Sequence, residues 1–212
     1  MIPRSEVESR VRTRFEQESS VRWASADIVS AINEGLDELS ERTHFYQRYV
    51  SIPVVPGRVY YNLTSYIPDD AISLRSCWST VRADWLEATA EHTLEPSWEE
   101  GIGDPQKWFP RGALYIGVYP HPAVGATAPG YMRLYFSSLA PHFSHSQAVL
   151  GDLTNDFVPA LVDYALYELQ ARDGESKKAL IHWKSFDKRA KLLEDFVARR
   201  GRSQRVSTMG GG

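Results

Sequence analysis

The chain has 212 residues, of which 42% are hydrophobic and 24% charged, and its net charge is −3 at pH 7. This length suits one well-packed domain, or one domain with a large insertion. The charge gives no overall bias toward nucleic acid or anionic membranes. No apolar run approaches the ~20 residues of a membrane-spanning helix, and the polar N-terminus is unlike a signal peptide. We therefore expect a soluble protein made in the cytoplasm.

The cysteine content limits the kinds of site the chain can form, and the aromatic content indicates how much surface it can bury. Cys77 is the only cysteine, so an intramolecular disulfide is impossible and a thiolate metal site is disfavoured. Its position in a strand pattern beside Trp78 predicts a small buried side chain, not a nucleophile. The 6 Trp, 11 Tyr and 8 Phe are a large aromatic content. Such side chains bury wide areas and are enriched at interfaces, which suggests extensive contacts.

Two helices are predicted at the N-terminal end. The first, about residues 5–15, carries one thin apolar stripe in which every fourth residue is apolar. The second begins at Ser25, where the hydroxyl is expected to cap the helix, and ends near Thr43. Gly35 weakens this helix by ~1 kcal/mol relative to alanine unless another segment approaches closely there.

The middle of the chain follows a strand pattern. Aromatic and β-branched residues predict strands at 46–55, 58–63, 71–82, 113–119 and 131–137. Pro56-Gly57 is a turn signal and predicts that the first two strands form a β-hairpin. The Pro- and Gly-rich residues 120–130 predict that the last two are partner strands. The region 84–109 is ambiguous, with a short helix within 89–98 as one interpretation.

Two further helices are predicted near the C-terminal end. The first is apolar almost all round, at Phe157, Leu161, Val162, Ala165, Leu166 and Leu169. A helix of this kind lies between two layers of protein. The second has a single apolar stripe at Trp183, Phe186, Ala190, Leu193 and Val197. Arg172-Asp173-Gly174 provides a stop between them and favours an antiparallel helical hairpin.

The last residues, 199–212, contain four arginines and almost no apolar side chains. This segment buries too little surface to offset its ordering entropy, so it is expected to be disordered alone. Three interpretations are a solvated tail, an arm that binds an acidic protein surface, and a DNA-binding segment. The third is the weakest, because neutralising only four phosphates gives modest, salt-sensitive affinity.

The order of elements predicts an α+β fold. We expect a helical bundle formed by the N- and C-terminal helices, with an inserted β-rich subdomain built as a hairpin or small sandwich. The predicted divisions are residues 1–45 for the N-terminal helices and 46–140 for the inserted subdomain. Residues 141–198 then form the C-terminal helix pair, and 199–212 form a flexible basic arm.

No constellation of residues in the sequence predicts catalysis, cofactor binding or metal binding. His142 and His145 have no nearby acidic residue in the sequence and fall short of the three or four ligands that zinc needs. The adjacent carboxylates Asp69-Asp70 and Glu99-Glu100 diverge in direction, unlike the opposed pair of a glycosidase. Gly101-Ile102-Gly103 lacks the third glycine of a nucleotide loop. We therefore predict a non-enzymatic protein with no cofactor.

Five stretches, taken in order, resemble the head-to-tail adaptor proteins of short-tailed bacteriophages, the connector or tail tubular type. They are Trp23 to Leu36, Ser51 to Leu63 followed by Pro68-Asp69, Gly103 to Trp108, Leu114 to Pro122, and the helix pair 158–196. The resemblance covers roughly residues 22–200. Gly117 departs from it, since a larger apolar residue is expected there, and the pairing of the 84–103 connection is unassigned.

The resemblance implies a structural virion protein at the head–tail junction, made in the host cytoplasm. It implies a ring, commonly of twelve copies, with the portal protein above and the tail nozzle protein below. A tail fibre or spike is a further candidate partner. DNA passes through the lumen as cargo, and no membrane is involved. In such proteins a C-terminal arm contacts the portal or a neighbouring subunit, and the segment at that position here is the C-terminal arm. The resemblance therefore implies that Arg199, Arg200, Arg202 and Arg205 are the partner-binding residues.

Three alternatives compete with this interpretation. The first is a stopper or completion protein of a long-tailed phage. The second is a helical DNA-binding protein that uses its Lys- and Arg-rich last helix, which predicts a salt-dependent shift of duplex DNA. The third is a virion enzyme such as a wall hydrolase, which predicts a cleft with a perturbed carboxylate pair.

Overall fold

The computed structural model describes residues 3–18, 23–122, 130–144, 153 and 155–209, with the backbone alone for 16–18 and 200–209. The chain divides into two compact units. Met1–Tyr46 and Ser138–Gly212 form one, here called the helical unit, and Gln47–Ser137 form the other, here called the β unit. The described residues contain four α-helices and two sheets. The predicted α+β class is confirmed.

The helical unit contains α1 (Arg4–Glu18), α2 (Ser25–Thr43), α3 (Val158–Arg172) and α4 (Ser176–Met209). Helix α3 contacts each of the other three helices. This position explains why its side chains are apolar almost all round, as the sequence predicted. Gly174, with φ of +80°, lies between α3 and α4. A glycine adopts this left-handed conformation without strain, which ends α3 at the predicted place.

One hydrophobic cluster holds the helical unit together. It buries Leu161, Leu166, Phe186 and Leu193, which the sequence placed on the apolar positions of two helices, together with Ile32 and Leu36 of α2. Trp183 is half-buried and packs against Phe186, with 5.5 Å between ring centroids. Gly35 has a reason to lack a side chain, because a Cβ there would lie 3.0 Å from Cδ1 of Tyr164. The close approach that the sequence required is therefore made by an aromatic ring of α3.

Helix α2 begins and ends where the sequence predicted, at Ser25 and Thr43, but the predicted cap was wrong. Ala24, not Ser25, is the N-cap of α2, and no side chain caps the helix. The Ser25 hydroxyl instead accepts a hydrogen bond from the Arg12 guanidinium at 3.1 Å. This contact with α1 takes the place of the predicted hydrogen bond to a backbone amide of α2. Helix α4 continues to Met209, through the segment from residue 199 that the sequence predicted to be a flexible arm, and the flexibility of that arm stays a prediction.

The β unit contains eight strands in the described residues: β1 (Gln47–Pro53), β2 (Tyr60–Asn62), β3 (Ala71–Ser79), β4 (Asp84–Trp85), β5 (Glu87–Ala88), β6 (Lys107–Arg111), β7 (Tyr115–Tyr119) and β8 (Tyr131–Ser138), whose last residue falls in the helical unit. They form two four-stranded sheets, ordered β1-β8-β3-β4 and β2-β7-β6-β5. One hydrophobic cluster takes side chains from both sheets, including Met132 and Leu134 from the first and Ile116 and Val118 from the second. The β unit is thus a small sandwich.

Both predicted strand pairings were wrong. Strand β1 pairs with β8, with Gln47 opposite Ser137, whereas β2 pairs with β7. The Arg58 amide donates to the Val55 carbonyl at 3.1 Å, and Gly57 has φ of +73°. A proline followed by a left-handed glycine is typical of a type II turn, whose geometry splays the flanking strands. Pro56-Gly57 therefore sends the chain from one sheet to the other.

The ambiguous region 84–109 contains no α-helix. A short 3₁₀ helix, Glu91–Thr93, lies within the stretch where a short helix was one interpretation and ends before Pro96. A second, Trp98–Glu100, follows Pro96. Trp98 is buried, and its ring packs edge-on against Phe109 with 5.1 Å between centroids. Phe109 faces Gly117 across the β6–β7 pair, and a Cβ on Gly117 would lie 2.1 Å from Cζ of Phe109. The unexpected glycine is thus explained, because the Phe109 ring occupies the space that a side chain at position 117 would need.

Candidate interaction surfaces

The described residues hold no group of three or more His, Cys, Asp or Glu side chains placed to bind a metal ion. Asp70 pairs with Arg48, whose guanidinium lies 2.8 and 2.9 Å from its two carboxylate oxygens. Glu99 accepts a hydrogen bond from the Tyr60 hydroxyl at 3.0 Å. One carboxylate of each pair considered in the sequence, Asp70 and Glu99, therefore has an ordinary structural partner.

His142 has an acidic partner that the sequence did not reveal. Its Nε2 lies 2.9 Å from both carboxylate oxygens of Asp37, a residue of α2 that is distant along the chain. The acidic neighbour that His142 lacks along the sequence is therefore provided by a residue distant in the chain. His145 lies outside the described residues. Asp37 and His142 form a surface ion pair when the imidazole is protonated.

Cys77 is a buried free thiol on β3. Burial raises the pKa of this thiol to about 12, because the low-dielectric surroundings disfavour the thiolate. The predicted small buried side chain is confirmed.

Folded protein at pH 7–8 is expected to resist alkylation at Cys77, because the thiolate is the nucleophile and both burial and pKa suppress it. The measurement is intact mass after iodoacetamide treatment, with and without guanidinium chloride. Denatured protein should gain one adduct and folded protein none. Rapid labelling of the folded chain would contradict the buried assignment.

A buried carboxylate joins three helices of the helical unit. Asp163 on α3 accepts hydrogen bonds from Arg14 of α1 at 3.0 Å and from Arg189 of α4 at 2.8 Å. Ser185 donates a third at 2.7 Å. A buried charge is tolerated only when it is paired and hydrogen-bonded, and Asp163 meets both conditions. The sequence analysis missed this site, although an acidic residue directly after the apolar residues Leu161 and Val162 was a usable signal.

The outer face of α4 is basic and apolar together. We use this name for Lys177, Ile181, Lys184, Lys188 and Leu192, which recur at helical spacing on the side opposite the buried stripe. Ile181 is 67% exposed and Leu192 55% exposed. Large exposed apolar side chains grouped with one sign of charge are typical of a protein-binding surface.

The β unit carries a surface of opposite charge, here called the acidic segment, at residues 84–104. It contains seven carboxylates and no lysine or arginine. Tyr60 donates hydrogen bonds to Glu91 and Glu99, both at 3.0 Å. Burial, followed by these two bonds, raises the pKa of Tyr60 above its ordinary value. Ile102, within the segment, is 63% exposed.

The predicted partner-binding arginines all fall on α4. Arg199 is exposed, and the backbone of Arg200, Arg202 and Arg205 continues the helix. The side chains of these three lie outside the described residues. Their binding role stays a prediction.

Among the described residues, no helix is both long enough and apolar enough to cross a membrane. The family model for the SU10 adaptor protein matches residues 4–209, and all four helices and both sheets lie within that range. No curated protein matched the chain. The family implies a non-enzymatic structural role, a place in the virion, self-assembly and contact with other virion proteins. The resemblance to phage adaptors is thus confirmed at this level, and the chain belongs to the SU10 adaptor protein family.

Proposed function

We propose that this adaptor forms a ring that joins the portal vertex to the tail nozzle of a short-tailed phage and lets DNA pass through its lumen. The observation that carries the proposal is the family match over both units of the chain. Ring closure needs two unlike surfaces on each subunit, because head-to-tail contacts generate cyclic assemblies. The basic outer face of α4 and the acidic segment are two such surfaces.

The proposed ring contains twelve copies, with the portal protein and the tail nozzle protein as its main partners and a tail fibre or spike as a third. Electron microscopy of the purified chain bound to portal particles tests this directly. We expect a twelve-fold ring below the portal with an open central channel. Binding of single copies, or of a closed plug in place of an open ring, would contradict the proposal and favour a stopper protein of a long-tailed phage.

The C-terminal arginines are proposed to bind the portal or a neighbouring subunit. Guanidinium groups form paired, charge-assisted hydrogen bonds with carboxylates, so an acidic surface is the fitting partner. As a continuous helix, residues 199–209 extend roughly 16 Å, about half the length of the same residues fully extended. The contact is therefore expected close to the end of α4, unless the helix unwinds on binding.

Deleting residues 199–212 should leave the melting temperature nearly unchanged and weaken portal attachment at least about tenfold. The core residues identified in the described part of the helical unit all precede this segment, whereas its four arginines would be lost from the interface. The measurement is binding to immobilised portal particles over graded salt, which should reduce wild-type binding through screening.

A matched variant separates charge from length. Arg199, Arg200, Arg202 and Arg205 changed together to glutamine keep the helix and remove the charge. This variant should bind like the truncated chain and lose most of the salt dependence. Portal binding with unchanged affinity and salt dependence in both variants would mean that the segment is a solvated end.

A further inference from the structure

We propose that the outer face of α4 in one copy docks on the acidic segment of a second copy, and that this heterologous contact closes the ring. The inference rests on the ring proposed above and identifies its subunit interface. The site is the face formed by Lys177, Ile181, Lys184, Lys188 and Leu192. Its occupant is residues 84–104 of the neighbouring subunit.

The outer face of α4 has no partner within the described residues. The opposite side of the helix packs into the core through Phe186, Ala190 and Leu193. Ile181 and Leu192 are more than half exposed, on a helix that already has its apolar stripe covered. Because removing such side chains from water is favourable, the face is suited to a further apolar contact.

The cations on this face are also uncompensated. Lys191, one turn after Lys188 and two turns after Lys184, pairs with Asp187 at 2.8 Å. By contrast Lys177, Lys184 and Lys188 make no ion pair with any described residue. Three lysines spaced over roughly 16 Å of helix therefore present positive charge that the helical unit does not neutralise.

The acidic segment shows the complementary pattern. Glu95, Glu100 and Asp104 are exposed and make no ion pair within the described part of the chain. Exposed Ile102 lies between the last two of them. Each surface thus combines unpaired charge of one sign with a large exposed apolar side chain, and the signs are opposite.

The acidic segment is held in shape before any partner binds. Gly103 donates its amide to the His121 carbonyl at 2.9 Å, and His121 donates back to Gly101 at 3.0 Å. Buried Trp98 anchors the 3₁₀ turn that carries Glu99 and Glu100. A pre-organised surface loses little conformational entropy on binding, which favours association.

The apolar side chains decide between a protein and a nucleic acid as the occupant. DNA offers phosphates to the lysines but leaves Ile181 and Leu192 exposed to water, whereas the acidic segment covers both kinds of group. The two surfaces lie on different units of one chain, so each copy offers one of each. That is the requirement of a head-to-tail ring, in which every contact is the same heterologous pair.

Charge reversal tests the interface on the full chain. K184E/K188E changes the outer face of α4, and E95K/E100K changes the acidic segment at two carboxylates without a side-chain partner. We expect each variant alone to self-associate at least about tenfold more weakly than wild type in low salt, because like charges then face each other. An equimolar mixture of the two should recover assembly by alternation, and the fourfold variant should recover it alone. Sedimentation velocity and electron microscopy on portal particles are the readouts.

A matched control reverses the same number of charges elsewhere. Arg75 and Arg82 are exposed and form no ion pair within the described residues, and R75E/R82E should assemble like wild type. Disulfide crosslinking is a direct readout, because buried Cys77 should not react with the introduced cysteines. I102C protein mixed with I181C protein should form a disulfide-linked dimer on oxidation. Each variant oxidised alone should form far less.

The outcomes separate this interface from the proposed function. If wild type stays monomeric both free and on portal particles, the ring and this interface fail together. If wild type assembles and K184E/K188E assembles equally well, the interface is wrong and the ring stands. If K184E/K188E assembles normally but loses a wild-type gel shift of duplex DNA, the face binds nucleic acid and the interface is overturned.

Discussion

Leu161→Ala is expected to lower the free energy of unfolding of the helical unit by about 2–5 kcal/mol. Leu161 is 0% exposed and lies on α3, the helix that contacts α1, α2 and α4. Truncation removes buried apolar surface and leaves a cavity walled by several helices. Such a cavity collapses poorly, because closing it would require more than one helix to move.

The measurement is chemical denaturation combined with hydrogen exchange, since the chain has two compact units and a single transition is not assumed. Exchange protection should fall in α2, α3 and α4 and persist in the β unit. The matched control is Leu180→Ala, because Leu180 is 51% exposed on α4 and should cost less than ~0.5 kcal/mol. Equal losses for the two variants would contradict the assignment of the core.

The helical unit was predictable from sequence because its signals are local. An apolar residue every third or fourth position identifies a helix and its buried face without reference to the rest of the chain. The stripe of α4 and the nearly all-apolar α3 are both confirmed in the core. Helix capping was less predictable than the helix bounds, as Ser25 shows, because a tertiary partner, Arg12, donates to the hydroxyl that the capping rule assigns to the backbone.

The strand pairings failed because pairing is not local. Alternation located β1, β2, β7 and β8, but proximity in sequence suggested hairpins that the structure replaces with β1–β8 and β2–β7. The Pro-Gly turn contained the missing information. Its type II geometry is the one that splays strands, whereas two-residue hairpins favour the mirror-image turns.

The interaction surfaces were the least predictable part. The basic C-terminal segment stood out by composition, but the outer face of α4 and the acidic segment depend on which charges lack a partner in three dimensions. Lys188 and Lys191 look alike in the sequence, yet only Lys191 meets an aspartate. Asp163 likewise needed the structure to show that its two arginines come from α1 and α4.

Gly117→Ala is expected to destabilise the β unit by about 1–3 kcal/mol, the usual cost of overpacking a close contact. The added Cβ would lie 2.1 Å from Cζ and 2.3 Å from Cε2 of Phe109. The Phe109 ring is buried and packs edge-on against Trp98 and Tyr60, so it has little room to retreat. The sheet must instead shift, or the ring must leave its rotamer.

Local hydrogen exchange across β6 and β7 is the measurement, with the melting temperature as a second readout. Gly103→Ala is the matched control, because a Cβ there meets Pro120 at an ordinary 3.5 Å. Shortening the ring in the double variant F109L/G117A should recover part of the loss, giving a cost smaller than the sum of the single changes. Simple additivity of the two costs would mean that Phe109 is not what excludes a side chain at position 117.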